Sequence, residues 1–246
     1  MKVIIADDYA KQCSIAADIF EEIIRAKPDC CLGLATGSSP VGMYQELARR
    51  CREEGLDFSR VHSVNLDEYV GLEPTHDQSY RYFMDTNLFD HINIDKKNTY
   101  VAKGTGDMEA NLREFNEVLA NSQIDIQLLG VGGDGHIGFN EPGEVLYDHA
   151  HQEVLDESTI DANARFFASR DDVPRYAVTM GVGDIMRAKR LLLIINGKKE
   201  DAAARLLLGD KITCRCPVTF MKLHPDATVI IDRALADKIG YHTDMQ

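Results

Sequence analysis

Tryptophan is absent from this chain, and so is any apolar run approaching the roughly 18 residues that a membrane-spanning helix requires. The amino terminus, Met1-Lys2-Val3-Ile4-Ile5-Ala6-Asp7-Asp8, turns acidic too soon for a secretory leader. There is no repeat, no low-complexity stretch and no Pro/Gly/Ser-rich linker, which argues against fibrous, collagenous and disordered classes and for a single domain over residues 1–246. A Cys-x-x-Cys pair is missing too. The cysteines are Cys13, Cys30, Cys31, Cys51, Cys214 and Cys216; the first close pair is adjacent and the second, Cys214-Arg215-Cys216, has the wrong spacing for a zinc knuckle. Reduced structural thiols in a cytoplasmic protein are therefore expected. Positive charge is scarce as well: 27 Lys+Arg against 40 Asp+Glu leave a net charge of -13. Such a surface is a poor partner for nucleic acid or an anionic membrane. It does not exclude a small anionic substrate, because a local site can oppose the global field.

What is present is ordinary globular material: 44% hydrophobic residues in 246, enough to bury a core without staples. Short apolar runs alternate with helical patterns. Val3–Ile5, Cys31–Ala35, Val61–Leu66, Ile124–Val131, Leu191–Ile195 and Ala227–Ile231 read as strands. Tyr9–Ala26, Pro40–Gly55, Gln78–Phe89, Met108–Asn121 and Lys198–Leu208 read as helices, the second with Ser39 as N-cap and Pro40 at the first helical position. The alternation predicts an α/β fold with a mostly parallel central sheet. Ligands of such sheets bind beyond the carboxyl ends of the strands, so the polar residues after each strand are the ones to inspect.

Four segments stand there. Ala35-Thr36-Gly37-Ser38-Ser39-Pro40 places hydroxyls and a glycine before a helix start, where free N–H groups and the helix dipole make an anion site; a merely capped helix fits equally. It is neither a Walker A loop nor a dinucleotide turn. In Asn65-Leu66-Asp67-Glu68-Tyr69, two adjacent carboxylates repel each other; one is a candidate general base, and a helix cap beside a solvated acid is the alternative. Leu128 to Pro142 runs from a buried strand into a glycine-dense loop carrying Asp134, His136 and Glu141, the composition of a proton relay. One His and two carboxylates also suit a divalent metal, and a structural loop is the third reading. Asn163-Ala164-Arg165-Phe166-Phe167 offers an Arg that anchors a phosphate bidentately or lies on the surface over a core pair.

In this order the segments resemble the glucosamine-6-phosphate deaminase (isomerase) family. Leu66-Asp67-Glu68-Tyr69-Val70-Gly71-Leu72, Gly135-His136-Ile137-Gly138-Phe139-Asn140-Glu141-Pro142 and Ala177-Val178-Thr179-Met180-Gly181-Val182-Gly183 carry the likeness, which runs from the first strand to about Ile231. The related 6-phosphogluconolactonases typically have Asp-Glu-Arg and Ser-Leu-Phe-Pro where this chain has Asp67-Glu68-Tyr69 and Phe139-Asn140-Glu141-Pro142. The resemblance implies a Rossmann-like α/β/α sandwich and a reaction needing no cofactor and no metal. The substrate is a small amino-sugar phosphate: glucosamine 6-phosphate and water would give fructose 6-phosphate and ammonia. It further implies that His136 opens the sugar ring, that Asp134 and Glu141 hold and tune its imidazole, and that Asp67 moves a proton from C2 to C1. Thr36, Gly37, Ser38, Ser39 and Arg165 would hold the phosphate, with Glu68 and Gly132 also at the substrate; Glu68 either raises the proton affinity of Asp67 by like-charge repulsion or holds the site from behind.

Two departures bear on these expectations. Many members carry a phosphate-contacting Lys where an ungapped alignment places Glu200 here; Lys199 substitutes after a small shift, or the contact is lost. Hexameric members activated by N-acetylglucosamine 6-phosphate have a basic stretch where this chain reads Asp148-His149-Ala150-His151-Gln152-Glu153, and a longer tail than one ending at Gln246. A non-allosteric enzyme is expected, as a monomer or homo-oligomer, with galactosamine 6-phosphate as the alternative substrate and lactone hydrolysis as the rival reaction.

Overall fold

The computed structural model describes residues 1–196 and 200–242. Eighteen strands and α-helices follow in chain order among them: β1 (Lys2–Ala6), α1 (Tyr9–Ala26), β2 (Cys31–Leu34), α2 (Val41–Glu54), β3 (His62–Asn65), β4 (Asp67–Tyr69), α3 (Tyr80–Asn87), β5 (Thr99–Tyr100), α4 (Met108–Asn121), β6 (Ile126–Leu129), β7 (His151–Val154), α5 (Glu157–Asn163), β8 (Tyr176–Thr179), α6 (Val182–Met186), β9 (Leu191–Ile195), α7 (Asp201–Leu208), β10 (Ala227–Asp232) and α8 (Arg233–Ile239). Seven strands form one sheet in the order β1-β10-β9-β6-β2-β3-β5. Every pairing within it is parallel. Helices flank it, giving the expected Rossmann-like α/β/α sandwich.

The sequence explains the layers. Fully apolar β9 (Leu-Leu-Leu-Ile-Ile) is buried along its whole length, as a central strand covered on both faces must be. Helix α1 starts where Asp8 accepts the Lys11 N–H at 2.8 Å, and it buries Ala16, Ala17, Phe20, Ile23 and Ile24 against the sheet layer. Among the described residues, no helix is long and apolar enough to cross a membrane.

Three expectations are corrected. Ser39 is not the N-cap of α2: Pro40 holds that place without a side-chain bond, because the Ser39 hydroxyl instead donates to Asn196 Oδ1 at 2.8 Å. The helix expected from Gln78 begins at Tyr80, where Ser79 accepts the Tyr82 N–H. The helix expected from Lys198 runs from Asp201; Lys198 itself lies outside the described residues.

A second sheet escaped the sequence altogether. Strands β4, β8 and β7 form an antiparallel ribbon in the order β4-β8-β7, with Asp67, Thr179 and His151 in one cross-strand row. Leu66 is the joint between the sheets. Its N–H donates to Leu34 O at 3.1 Å on the parallel side, and its carbonyl accepts from Met180 N at 2.8 Å on the antiparallel side. Asp67 is therefore the first residue beyond the parallel sheet.

The parallel sheet has a switch point. From β2 the chain steps outward to β3 and β5; from β6 it steps the other way to β9 and β10, and β2 and β6 are neighbours. The crevice beyond their carboxyl ends is where such folds place a ligand. The Thr36 loop follows β2 and the glycine-dense loop follows β6, so both open there.

Candidate active site

The loop after β2 is held from both sides by tyrosines. The buried Tyr44 hydroxyl donates to Ala35 O at 2.6 Å and accepts from Ala35 N at 3.2 Å. The Tyr9 hydroxyl reaches the carbonyls of Ser38 and Ser39, both at 3.1 Å, and accepts from Gly42 N at 3.0 Å. Gly37 has a φ of +91°, which a residue with a Cβ rarely adopts, so the loop turns there without strain. Thr36, Gly37, Ser38 and Ser39 are thereby fixed at the start of α2, a 14-residue helix whose dipole favours an anion. Ser39 keeps its hydroxyl on Asn196, the residue following β9.

Asp67 is 5% exposed. Burial, reinforced by the charge of Glu68 and opposed by that of His136, pushes its carboxyl up to about 8. That is the range a base needs to act near neutrality. Glu68 is likewise raised by burial, to about 7, although three backbone amides hold it down. Its Oε1 accepts from Tyr69 N at 2.9 Å and Tyr80 N at 2.8 Å, and its Oε2 from Arg81 N at 3.0 Å. Those bonds fasten β4 to the first turn of α3. Glu68 was expected at the substrate, or beside Asp67 as a neighbour raising its proton affinity or a holder behind it; both its oxygens accept from amides and its charge raises the Asp67 carboxyl.

His136 stands on the glycine loop with Nδ1 2.8 Å from Asp134 Oδ1 and 3.5 Å from Glu141 Oε2. Burial alone would lower its pKa, but the two carboxylates override that and lift it to about 10, so the resting ring is an imidazolium. Asp134 is conversely held below its ordinary value, the pull of His136 outweighing burial. Asp134 Oδ1 also accepts the His136 backbone N–H at 3.1 Å, which locks the turn. Glu141 is buried and accepts from Asp156 N at 3.4 Å. Two of the loop glycines fit this arrangement closely. A Cβ on Gly132 would overlap the imidazole, and one on Gly135, whose φ is +95°, would meet Cys216 Sγ at 2.4 Å.

The ligand atoms of Asp134, His136 and Glu141 lie within 4.8 Å of one another, so the metal reading has the right residues in reach. The 2.8 Å Nδ1–Oδ1 separation is that of an imidazolium–carboxylate ion pair, which suits the proton relay as well.

An aromatic hub joins the segments. Tyr69 of β4 packs at 4.9 Å from Tyr80 of α3, 5.4 Å from Phe139 of the glycine loop and 5.8 Å from Phe167. Tyr80 stacks on Phe139 at 5.9 Å. Phe167 thus brings the Arg165 segment to the site's edge. Arg165 itself is exposed, with its guanidinium 4.6 Å over the ring of Phe166. Lys199 lies outside the described residues. Tyr9, Tyr44, Tyr80 and Thr179 were missed by sequence reasoning. Tyr44 lies only nine residues from Ala35, which it holds, but outside the loop motif, and only Thr179 fell inside a quoted motif. A cleft of about 690 Å³ lined by Asn116, Gln123, His149, Asp184 and Arg187 lies elsewhere, at the amino-terminal ends of β6 and β9.

Comparison with known proteins gives a consistent picture. Residues 6–230 match the family model described as glucosamine-6-phosphate isomerases/6-phosphogluconolactonase. A glucosamine-6-phosphate deaminase of Clostridium perfringens (strain 13 / Type A) is 50% identical over 238 residues, covering 96% of this chain and 98% of that one. The deaminase of Thermoanaerobacter pseudethanolicus is 46% identical over 241 residues, covering 97% and 95%. A solved structure of a monomeric glucosamine-6-phosphate deaminase superposes with a TM-score of 0.93 at 42% identity, covering 96% of this chain and 99% of that one. The 6-phosphogluconolactonase from Leishmania guyanensis, at 19% identity and a TM-score of 0.76, shares the fold.

Proposed function

The chain belongs to the glucosamine-6-phosphate isomerase/6-phosphogluconolactonase family, and on that premise we propose that it converts glucosamine 6-phosphate and water to fructose 6-phosphate and ammonia. The observation that carries this reading is the pair of proton-transfer stations on separate segments at one crevice. One is an imidazolium held by two carboxylates; the other is a buried carboxyl pushed up to about 8. Lactone hydrolysis would use the first and leave Asp67 without a task.

His136, protonated at rest, gives its proton to the ring oxygen and takes one from the anomeric hydroxyl, releasing the open-chain aldehyde. Asp134 and Glu141 keep the ring charged and oriented. Only then is the C2 proton acidic, being α to a carbonyl. Asp67 in its ionised form removes it while the aldehyde oxygen takes a proton from the C2 ammonium, giving an enolamine; Asp67 then returns its proton to C1, leaving a protonated imine at C2. Water adds to the imine and ammonia departs, which completes the balance. Thr36, Gly37, Ser38 and Ser39 bind the phosphate through backbone N–H groups and hydroxyls at the start of α2, with Arg165 as a cation from the other side. Holding the phosphate far from C2 orients the reacting carbons. Gly132 gives the ring its seat. One chain supplies every residue named, and Lys199 is a further candidate for the phosphate.

The test is ammonia release from glucosamine 6-phosphate, with galactosamine 6-phosphate and 6-phosphogluconolactone in parallel. Turnover of the first with ketose formation supports the proposal. Turnover of the lactone alone overturns it.

A further inference from the structure

The two proton-transfer stations sit on different pieces of chain, and one buried side chain ties those pieces together. Asn140 is 1% exposed. Its Nδ2 donates to Ile137 O at 2.9 Å and to Met180 O at 2.8 Å. Ile137 directly follows His136. Met180 directly follows Thr179, the cross-strand partner of Asp67, and Met180 N donates to Leu66 O at 2.8 Å. A covalent and hydrogen-bonded path therefore runs from His136 through Ile137, Asn140, Met180 and Leu66 to Asp67. A second tie lies beside it: Phe139 N donates to Thr179 Oγ1 at 3.0 Å.

The chemistry of the amide suits this place. Two carbonyl oxygens converge on one atom, and a neutral NH₂ supplies two hydrogens from a single nitrogen. The reverse orientation would set Oδ1 against both carbonyls, so the assignment of oxygen and nitrogen is fixed by its surroundings. Both amide hydrogens are thereby engaged in the buried turn. Gly138, at φ +58°, completes the tight turn: a Cβ there would stand 2.9 Å from Thr179 Oγ1 and 3.5 Å from Asp67 Oδ2. The turn is thus pressed onto the strand pair that presents Asp67.

We propose that Asn140 is a positioning residue that sets the distance between the ring-opening imidazole and the C2 base, so that one bound sugar meets both in turn. It rests on the deamination reading, which requires both stations; lactone hydrolysis would require one. The phosphate loop hangs on Tyr9 and Tyr44 and does not depend on this tie.

The experiment compares wild-type protein with Asn140→Leu, Thr179→Val and the double variant, measuring kcat and KM for glucosamine 6-phosphate together with thermal midpoints. Expected is a kcat about thirtyfold lower or worse for Asn140→Leu, with KM moving less than about threefold. The double variant is expected to lose little more than the worse single one, because both ties hold one turn to one strand. A merely structural role would lower the midpoint and leave kcat per folded molecule within about threefold of wild type, and that result overturns the proposal. Losses that multiply in the double variant overturn it as well. Should Asn140→Leu not fold, Asn140→Asp, of the same shape and without the NH₂, is judged by the same kcat and KM criteria. Wild-type protein that releases no ammonia at all defeats the deamination reading instead.

Discussion

Gly132 and His136 occupy one space: a Cβ on Gly132 would stand 2.3 Å from Cε1 of the imidazole, 2.5 Å from Nδ1 and 2.7 Å from Nε2. The backbone is the seat of the ring, and the ring's contact with Asp134 depends on that seat. Gly132→Ala has to displace the imidazole, which cannot be done without lengthening the 2.8 Å contact to Asp134. A displacement on the order of 1 Å at a reacting group costs about a hundredfold in rate. Steady-state kinetics should show kcat down by that order, while the thermal midpoint moves only a few degrees. A variant with wild-type kcat would remove His136 from the ring-opening role.

Asp67→Asn keeps the shape of the side chain and removes the base. Loss of a general base typically costs about 10²–10⁴ in rate. Ammonia release should fall into that range, while calorimetry with glucosamine 6-phosphate should give an affinity within a few fold of wild type, since the phosphate is held elsewhere. Full turnover by the variant would exclude Asp67 as the carbon base.

Much of the scaffold was legible because parallel strands buried on both faces leave uninterrupted apolar runs. Helices such as Tyr9–Ala26 and Met108–Asn121 carry N-caps at Asp8 and Asp107 that the structure uses. The glycine loop was legible because Asp134, His136 and Glu141 are crowded into eight positions of one chain segment. The antiparallel ribbon was not. Its strands are three or four residues long, two of them polar or mixed, and the pairing of β4 with β8 joins positions about 110 apart in sequence, for which no local pattern exists. The double role of Leu66 was hidden for the same reason. The influence of Glu68 on Asp67 was legible from adjacency, but its bonds to α3 were not, because a carboxylate that caps a helix 12 residues away looks identical in sequence to one that meets a substrate.

Tyr44→Phe tests the anchoring of the phosphate loop. The hydroxyl satisfies both backbone groups of buried Ala35, so its removal leaves a donor and an acceptor unpaired. Each such loss costs about 1–3 kcal/mol. Thermal unfolding should fall by several degrees, at about 2–4 °C per kcal/mol for a chain of this size. The KM for the sugar phosphate should rise with little change in kcat. Unchanged stability and KM together would mean that the loop is held by other bonds.

Arg165→Ala addresses the cationic side of the phosphate site. Arg165 is exposed and its guanidinium rests on the face of Phe166 at 4.6 Å, so its removal costs the fold little. A charge-assisted contact to phosphate contributes about 1.5–3 kcal/mol, or roughly tenfold to a hundredfold in affinity. KM should rise by that factor at low ionic strength, and less in high salt. A KM unmoved by the substitution would leave the phosphate to the loop and α2 alone.

The pH dependence follows from three groups raised together: Asp67 to about 8, Glu68 to about 7 and His136 to about 10. Their unfolded values are about 3.9, 4.3 and 6.5. Each group binds its proton more tightly when folded, so each contributes stability that is fully present below its unfolded value and lost as pH rises to its folded one. Stability should therefore decline from about pH 4 to 8 through the carboxyls and from about 6.5 to 10 through His136. Asp67→Asn removes the largest carboxyl share. Its thermal midpoint relative to wild type should gain little near pH 4 and rise steadily toward pH 8, and a difference that stays flat with pH would refute the raised Asp67. Activity runs the opposite way on its acid limb. The base must be ionised, so kcat/KM should climb as pH passes about 8 and fall beyond about 10 as His136 loses its proton. Glu68→Gln takes away the neighbouring negative charge and lets Asp67 ionise more readily, which moves the acid limb to lower pH. A limb that stays in place, or moves up, would assign it to another group.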